Sequence, residues 1–361
     1  RTRDEPSTSH CTASSLQITP STISIGFVAA GGLPVPLEAR VADNCGVPLT
    51  NANAAVSVSF STNAPAPVNL VHLADGRWSG TWQVAQTAST AVSLTFLADD
   101  PDRNLSGTKS VDGNIDANPD APVIADTPGV VSSASQSPGL TVAPGGIVTL
   151  YGQRLATGST QSSVYPVPTT LGSSSVAVAG RAMPVFFAAD LTTFSQINAM
   201  LPYDLPLNTP HSVSARRGNR RSNFVDVLVT ARQPAVYTVT GTGSGQGHLY
   251  DVFNPLIVAD RVNPISRGGY LIIYLEGLGA VTPAIEAGVQ VPGLPLREVA
   301  GVSVTIGGQP GTVLFAGLTP FLSGLNQINV EVPASVTPGD AVPVVVTVGG
   351  QSSPPVTIAV R

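Results

Sequence analysis

Charge is what this sequence most lacks. Asp, Glu, Lys and Arg make up 11% of its 361 residues, against about a quarter in ordinary globular proteins. Lysine is almost missing, with Lys109 the single example. The formal net charge is −5, so the dense basic surface that nucleic-acid binding requires is not there. Aromatic residues stop at 5%, which counts against an open sugar platform of exposed Trp and Tyr. Tyr151, Tyr203, Tyr270 and Tyr274 read instead as strand residues. No apolar run reaches the ~18 residues of a membrane-spanning helix. The four histidines, His10, His72, His211 and His248, stand in no metal-ligand spacing. No Ser sits in G-x-S-x-G, and Gly241, Gly243, Gly245 and Gly247 fit neither common phosphate-loop pattern. They read as a flexible loop joining two parts of the chain. The expectation is a non-enzymatic protein without a cofactor, calcium apart.

What is abundant is apolar and turn-forming. Hydrophobic residues make up 42% of the chain, with 36 Gly and 32 Pro, and the mean hydropathy is +0.24. The Gly and Pro punctuate short β-branched runs, the mark of many strands joined by tight turns. From Leu16 onward LQITPSTISIGFVA, VPLEARVAD, AAVSVSFST, VNLVHLA, RWSGTWQV and AVSLTFLAD follow one another at about a dozen residues apart, as in a β-sandwich. Trp78 and Trp82 fall on one face of one strand. They either fill the core or form a sugar-stacking platform. Cys11 and Cys45 fit one disulfide in an oxidising compartment, or two buried thiols. The chain begins at Arg1 without a signal peptide, as a processed chain or a fragment would.

Beyond about residue 122 the chain repeats itself. GGIVTLYGQRLA (145–156) answers to GGYLIIYLEGLG (268–279), aligning Tyr151 with Tyr274 and Leu155 with Leu278. SVAVAGRAMPVFFA (175–188) answers to SVTIGGQPGTVLFA (303–316), aligning Phe187 with Phe315. SQINAMLPYDL (195–205) answers to NQINVEVPASV (326–336), sharing Gln-Ile-Asn and then Pro202 with Pro333. The expected fold is all-β, three tandem immunoglobulin-like β-sandwich domains. The expected layout is an arm at 1–15, a sandwich at 16–110, an acidic linker at 111–125, and repeats at 126–232 and 233–361.

These motifs, in this order, resemble the C-terminal module of secreted Acidobacteria proteins of the Solibacter type, built of tandem IPT/TIG-like domains. Residues 16–110, with DNCGVP and DGRWSGTW, are similar to the bacterial immunoglobulin-like domains found upstream of that module. The resemblance implies a secreted all-β protein and brings no catalytic residues with it.

Two clusters invite chemistry. Asp112, Asn114, Asp116, Asn118 and Asp120 resemble the calcium-binding linker of cadherins and offer hard oxygens to Ca2+. The alternative is a solvated hinge. Arg216, Arg217, Arg220 and Arg221 flank Gly218-Asn219 at a hairpin tip, where four guanidinium groups can grip a polyanion or a neighbouring subunit, or simply solubilise a turn. The sparse charge leaves little repulsion between molecules. The expected role is therefore an extracellular, cell-surface structural or adhesive subunit that self-associates into a homopolymer such as a fibre, sheath or filament. Residues 1–20 or the C-terminal VTIAVR are the candidate exchange arm. The alternative is a module that binds extracellular polysaccharide or another surface, attached to a larger secreted protein.

Overall fold

The computed structural model describes residues 11–61, 66–84, 89–118, 120–127, 129–136 and 141–361. Among these every regular element is a β-strand. The chain divides into two compact units, residues 1–121 and 122–361. Residues 1–10, the main part of the expected arm with His10, lie outside the described residues.

The first unit is one sandwich. Leu16–Pro20, Pro34–Asp43 and Arg77–Gln83 pair in one layer, while Ala55–Phe60, Thr90–Asp100, Leu105–Asp116 and Phe27–Ala30 pair in the other. Val68–Ala74 pairs with both. Alternation sets the inward faces: Val92, Leu94, Phe96 and Ala98 of one strand all lie in the core. Trp82 packs against Phe60 with ring centroids 4.8 Å apart, and Trp78 is buried beside it in the same core. Both are core residues, not a platform.

The expected linker is largely strand. Leu105–Asp116 runs antiparallel to Thr90–Asp100 along its whole length, with Val111 and Ile115 turned into the core. The acidic residues between them are the outward half of a strand's alternation, so the sandwich extends beyond residue 110.

The second unit holds two hydrophobic cores, one within residues 124–229 and one within 236–360. In the first repeat Ile147–Gln153 lies between Val130–Ser132 and Ser195–Met200, with Val123–Ile124 extending the sheet. A second sheet centres on Thr209–Arg217. In the second repeat Tyr270–Glu276 and Asn326–Glu331 take the corresponding places. Gln309–Leu318 there pairs with strands of both layers. Its counterpart in the first repeat is interrupted at Pro184, between Arg181–Met183 and Val185–Asp190, because proline has no N–H for the ladder. The register shifts at Val185/Phe187 and at Val313/Phe315, so the repeats share one bulge.

Two expectations fail on pairing. The Gly-rich run lies inside the second repeat, where Gly245–Gln246 pairs in parallel with Val356–Thr357. The C-terminal strand Val356–Val360 is held by Gly339–Val348 and is no free arm. Leu16–Pro20 is likewise paired, to Pro34–Asp43.

Candidate functional site

Cys11 and Cys45 form a disulfide. The turn that carries Cys45 is itself fastened: Asp43 Oδ1 accepts from the main-chain N–H groups of Cys45 and Val47 at 3.0 and 2.9 Å. Arg103 binds Asp43 at 2.9 Å and Asp100 at 2.6 Å, and both carboxylates are buried. Asn51 Nδ2 completes the shell of Asp100 at 2.9 Å. Hydrogen bonding from Val47 holds the Asp43 carboxyl below its usual range despite burial. Burial pushes Asp100 up, but the bond and charge of Arg103 outweigh it and the net shift is downward. Sequence reasoning missed this triad because Arg103 sits in a stretch that reads as solvated.

The five oxygen-bearing residues of the calcium expectation are not brought together. Asp112, Asn114 and Asp116 lie exposed along one face of a single strand, where successive same-face positions are about 6–7 Å apart and diverge. Asn118 donates to the Gly31 carbonyl at 2.6 Å, and Asp120 lies beyond the strand's end. Among the described residues no group of three or more His, Cys, Asp or Glu converges on a metal position.

The arginines do share a hairpin. Arg216 pairs with Arg221 and Arg217 with Arg220 across the Gly218 turn. The Arg221 guanidinium lies 5.8 Å from the centre of the Phe224 ring, within cation–π reach. Burial, then repulsion from Arg216, pulls the Arg221 pKa down. His72 stacks beside Trp78 at 5.0 Å, and His211 meets the Pro206 carbonyl at 2.8 Å. Tyr203 is in a turn, not a strand, and burial raises its pKa.

Two features went unread in the sequence. The first is Glu276, buried where the two repeats meet. Its Oε1 accepts from the Ser132 hydroxyl and from Ala134 N–H at 3.2 Å. Its Oε2 accepts from Ser133 Oγ and Ile147 N–H, each at 2.9 Å, and from Tyr237 OH at 3.3 Å. Four of these five donors belong to the first repeat. Burial raises the Glu276 pKa, with the serine and main-chain donors opposing. Gly243 marks the same joint: a Cβ there would stand 1.9 Å from the Ser135 carbonyl oxygen.

The second is a pair of equivalent clefts. In the first repeat an open cleft of about 470 Å³ is lined by Ala125, Tyr151 and Phe194. In the second, one of about 570 Å³ is lined by Tyr237, Tyr274 and Leu325. Ala125 N–H donates to Tyr151 O at 2.9 Å as Tyr237 N–H donates to Tyr274 O at 3.1 Å, which makes the positions correspond. Tyr151 stands opposite Gln196, and Tyr274 opposite Gln327. Each glutamine donates Nε2 to the asparagine two residues on, Asn198 or Asn329, at 2.8 Å. Phe194 packs edge-on to Tyr151 at 5.7 Å. Tyr250 does so to Tyr274 at 5.6 Å, with His248 stacked on Tyr250. The rings and amides are half-exposed or exposed.

No protein-family model matches the chain, and no curated protein matches it. Among solved structures the chain is similar to the fibronectin(III)-like modules of Clostridium thermocellum CbhA, at 12% identity over 59% of this chain and 93% of that one, TM-score 0.22. It is similar to the I-band fragment I67–I69 of titin, at 9% identity over 95% and 98%, TM-score 0.19. It is also similar to the Escherichia coli adhesin FdeC, at 12% identity over 97% and 98%, TM-score 0.20. Likenesses this distant do not bear on function. The tandem sandwiches rest on the strand pairings themselves.

Proposed function

We propose that the chain is a secreted, non-enzymatic structural or adhesive protein that associates with copies of itself through exposed apolar sheet edges. The observation that carries this reading is the strand Asn254–Val258, the last of its sheet. Around it Phe253 is 82%, Leu256 92% and Val262 81% exposed. An apolar edge of this kind is a ready association surface, and a chain with 11% charged residues puts little repulsion in the way. Pro255 takes one N–H out of that edge, which favours contact through side chains over an unbroken ladder. A second apolar edge lies on the first unit beside Phe27–Ala30, where Ile25 is 81% and Val28 61% exposed. Two different edges on one chain suit head-to-tail, open-ended assembly. The disulfide supports an oxidising, extracellular setting, and the arginine hairpin is a further proposed contact for a polyanion or a neighbour.

Electron microscopy and light scattering across a concentration series test this. Filaments or larger species are expected for the native chain, and dispersed monomers for Phe253→Lys with Leu256→Lys. Monomers at every concentration for the native chain would end the proposal.

A further inference from the structure

The strongest unexplained feature of the second unit is that its two repeats share outward-facing residues. Inward positions recur for a plain reason: Ile197 and Ile328 each fill a core. Outward positions are released from that demand, and several have diverged. Ile147 stands where the second repeat has Tyr270, and Gln153 where it has Glu276. Yet the Tyr–Gln cross-strand pair, and the Gln–Asn amide bond beside it, are kept in both. A cross-strand pair on an open sheet stabilises it only modestly, which does not account for the cleft that borders each tyrosine.

From this recurrence we infer that the two clefts are equivalent binding sites for a neutral glycan. The chemistry of each cleft and of the strand beside it selects that ligand. A pyranose presents an apolar C–H face, which an aromatic ring covers, and equatorial hydroxyls, which amides bind as donor and acceptor at once. Tyr151 and Tyr274 provide the rings. The amide pairs lie on the adjoining strand, opposite each tyrosine and outside the cleft lining itself, where the glutamine Oε1 and the asparagine Nδ2 keep capacity beyond their mutual bond. The residues lining both clefts include no Asp, Glu, Lys or Arg, so an uncharged sugar suits them better than an acidic one. A nucleotide or phosphopeptide would find no lysine or arginine there.

Both clefts sit on one compact unit, and Glu276 bonds its two repeats together. A repeating polymer can therefore engage both at a fixed spacing, so the second contact forms at high effective concentration. The inference does not depend on self-association, which uses other surfaces.

Affinity electrophoresis of the full chain through gels containing mixed-linkage β-glucan, galactomannan or dextran provides the test, with alginate as the acidic comparison. Retardation by at least one neutral polymer, insensitive to added salt, is expected. Tyr151→Ser or Tyr274→Ser alone should weaken it about a hundredfold or more, and the two together should abolish it. Gln196→Ala with Gln327→Ala should weaken it too while disturbing the fold less, which keeps the test open should a tyrosine variant melt early. Replacing the four hairpin arginines with serine should leave it unchanged. The inference fails if no neutral polymer retards the chain. It also fails if the combined variants, with native melting and near-ultraviolet dichroism, bind as the native chain does. Filaments that persist with both clefts emptied would leave the assembly proposal standing by itself.

Discussion

Replacing Glu276 with Gln changes one oxygen for an NH2 group and nothing in shape. At this site that small change is costly, because five donors and no acceptor but the hydroxyls face the carboxylate. Ser132, Ser133 and Tyr237 can turn their hydroxyls to accept. The N–H groups of Ala134 and Ile147 cannot turn, and one stands at each oxygen. Whichever way the amide lies, one main-chain N–H faces another N–H. A buried donor left without its acceptor costs about 1–3 kcal/mol, and a bond to a charged group is worth about 1.5–3 kcal/mol. Relief from burying the charge offsets part of this. The expected net loss for the second unit is about 2–3 kcal/mol.

The pH dependence follows from the same group. Burial raises its pKa above the ordinary 4.5, so the folded state holds the proton more tightly than the unfolded state does. Its contribution is then greatest below 4.5 and falls as pH rises through the folded value, after which it is constant. The native second unit should lose stability over that window, and Glu276→Gln should be less stable but lack that slope. Trp78 and Trp82 are the only tryptophans and both lie in the first unit. Tryptophan fluorescence during urea unfolding therefore reads the first unit, and far-ultraviolet dichroism adds the second. A variant within about 0.5 kcal/mol of native, or one that keeps the slope, would refute the reasoning.

Arg103→Met should leave Asp43 and Asp100 buried without a countercharge and cost the first unit about 2–4 kcal/mol. This is less than for a fully buried pair, because the Arg103 side chain is 32% exposed. Both aspartates have depressed pKa values, so their contribution is present above 3.8 and is lost as pH falls through the folded values. Acid should therefore weaken the first unit while the Glu276 effect runs the other way in the second. Reducing Cys11–Cys45, which closes a span of 34 residues, should lower first-unit stability by about 3–4 kcal/mol and leave the second unit's transition in place. Gly243→Ala would put a Cβ against Ser135 at φ +76 and should cost about 3 kcal/mol or more. Gly241→Ala, with open space at φ +66, should cost only the left-handed penalty of about 1–2 kcal/mol.

Strand positions were readable because each strand carries its own inward face. AVSLTFLAD puts Val92, Leu94, Phe96 and Ala98 on one side whatever the rest of the chain does. The same rule misled at residues 111–116, where only Val111 and Ile115 face inward and the Asp and Asn between them imitate a linker. Asp43 is 60 residues from Arg103, so that ion pair is a product of folding, whereas Asp100 and Arg103 are neighbours in a stretch whose composition imitates a solvated turn. The clefts were hidden for another reason. Tyr151 and Tyr274 are strand residues, as their patterning says, but a strand residue can also face outward, and composition cannot tell which tyrosines do. Their equivalence was visible in the repeat all along. It took the amide bonds and the matching clefts to separate a duplicated surface from a duplicated core.

Gln153 and Glu276 occupy the same position in the two repeats, and their fates show what duplication preserves. Gln153 is exposed and donates to the Thr193 carbonyl at 2.8 Å, within its own repeat. Glu276 is buried because the first repeat lies against it. The following residue is left-handed in both, at φ +56 for Arg154 and +80 for Gly277. The backbone turn was therefore inherited while the surroundings changed. Arg154 manages that turn with its side chain partly exposed. Gly277 cannot be replaced so freely, since a Cβ would lie 1.8 Å from the Gln233 carbonyl oxygen. The sandwich and its cleft are thus common property of the repeats, whereas the joint exists once. Changes at Glu276, Gly277 and Gly243 should act on the coupling between sandwiches, and changes at Tyr151 and Tyr274 on the surface each presents.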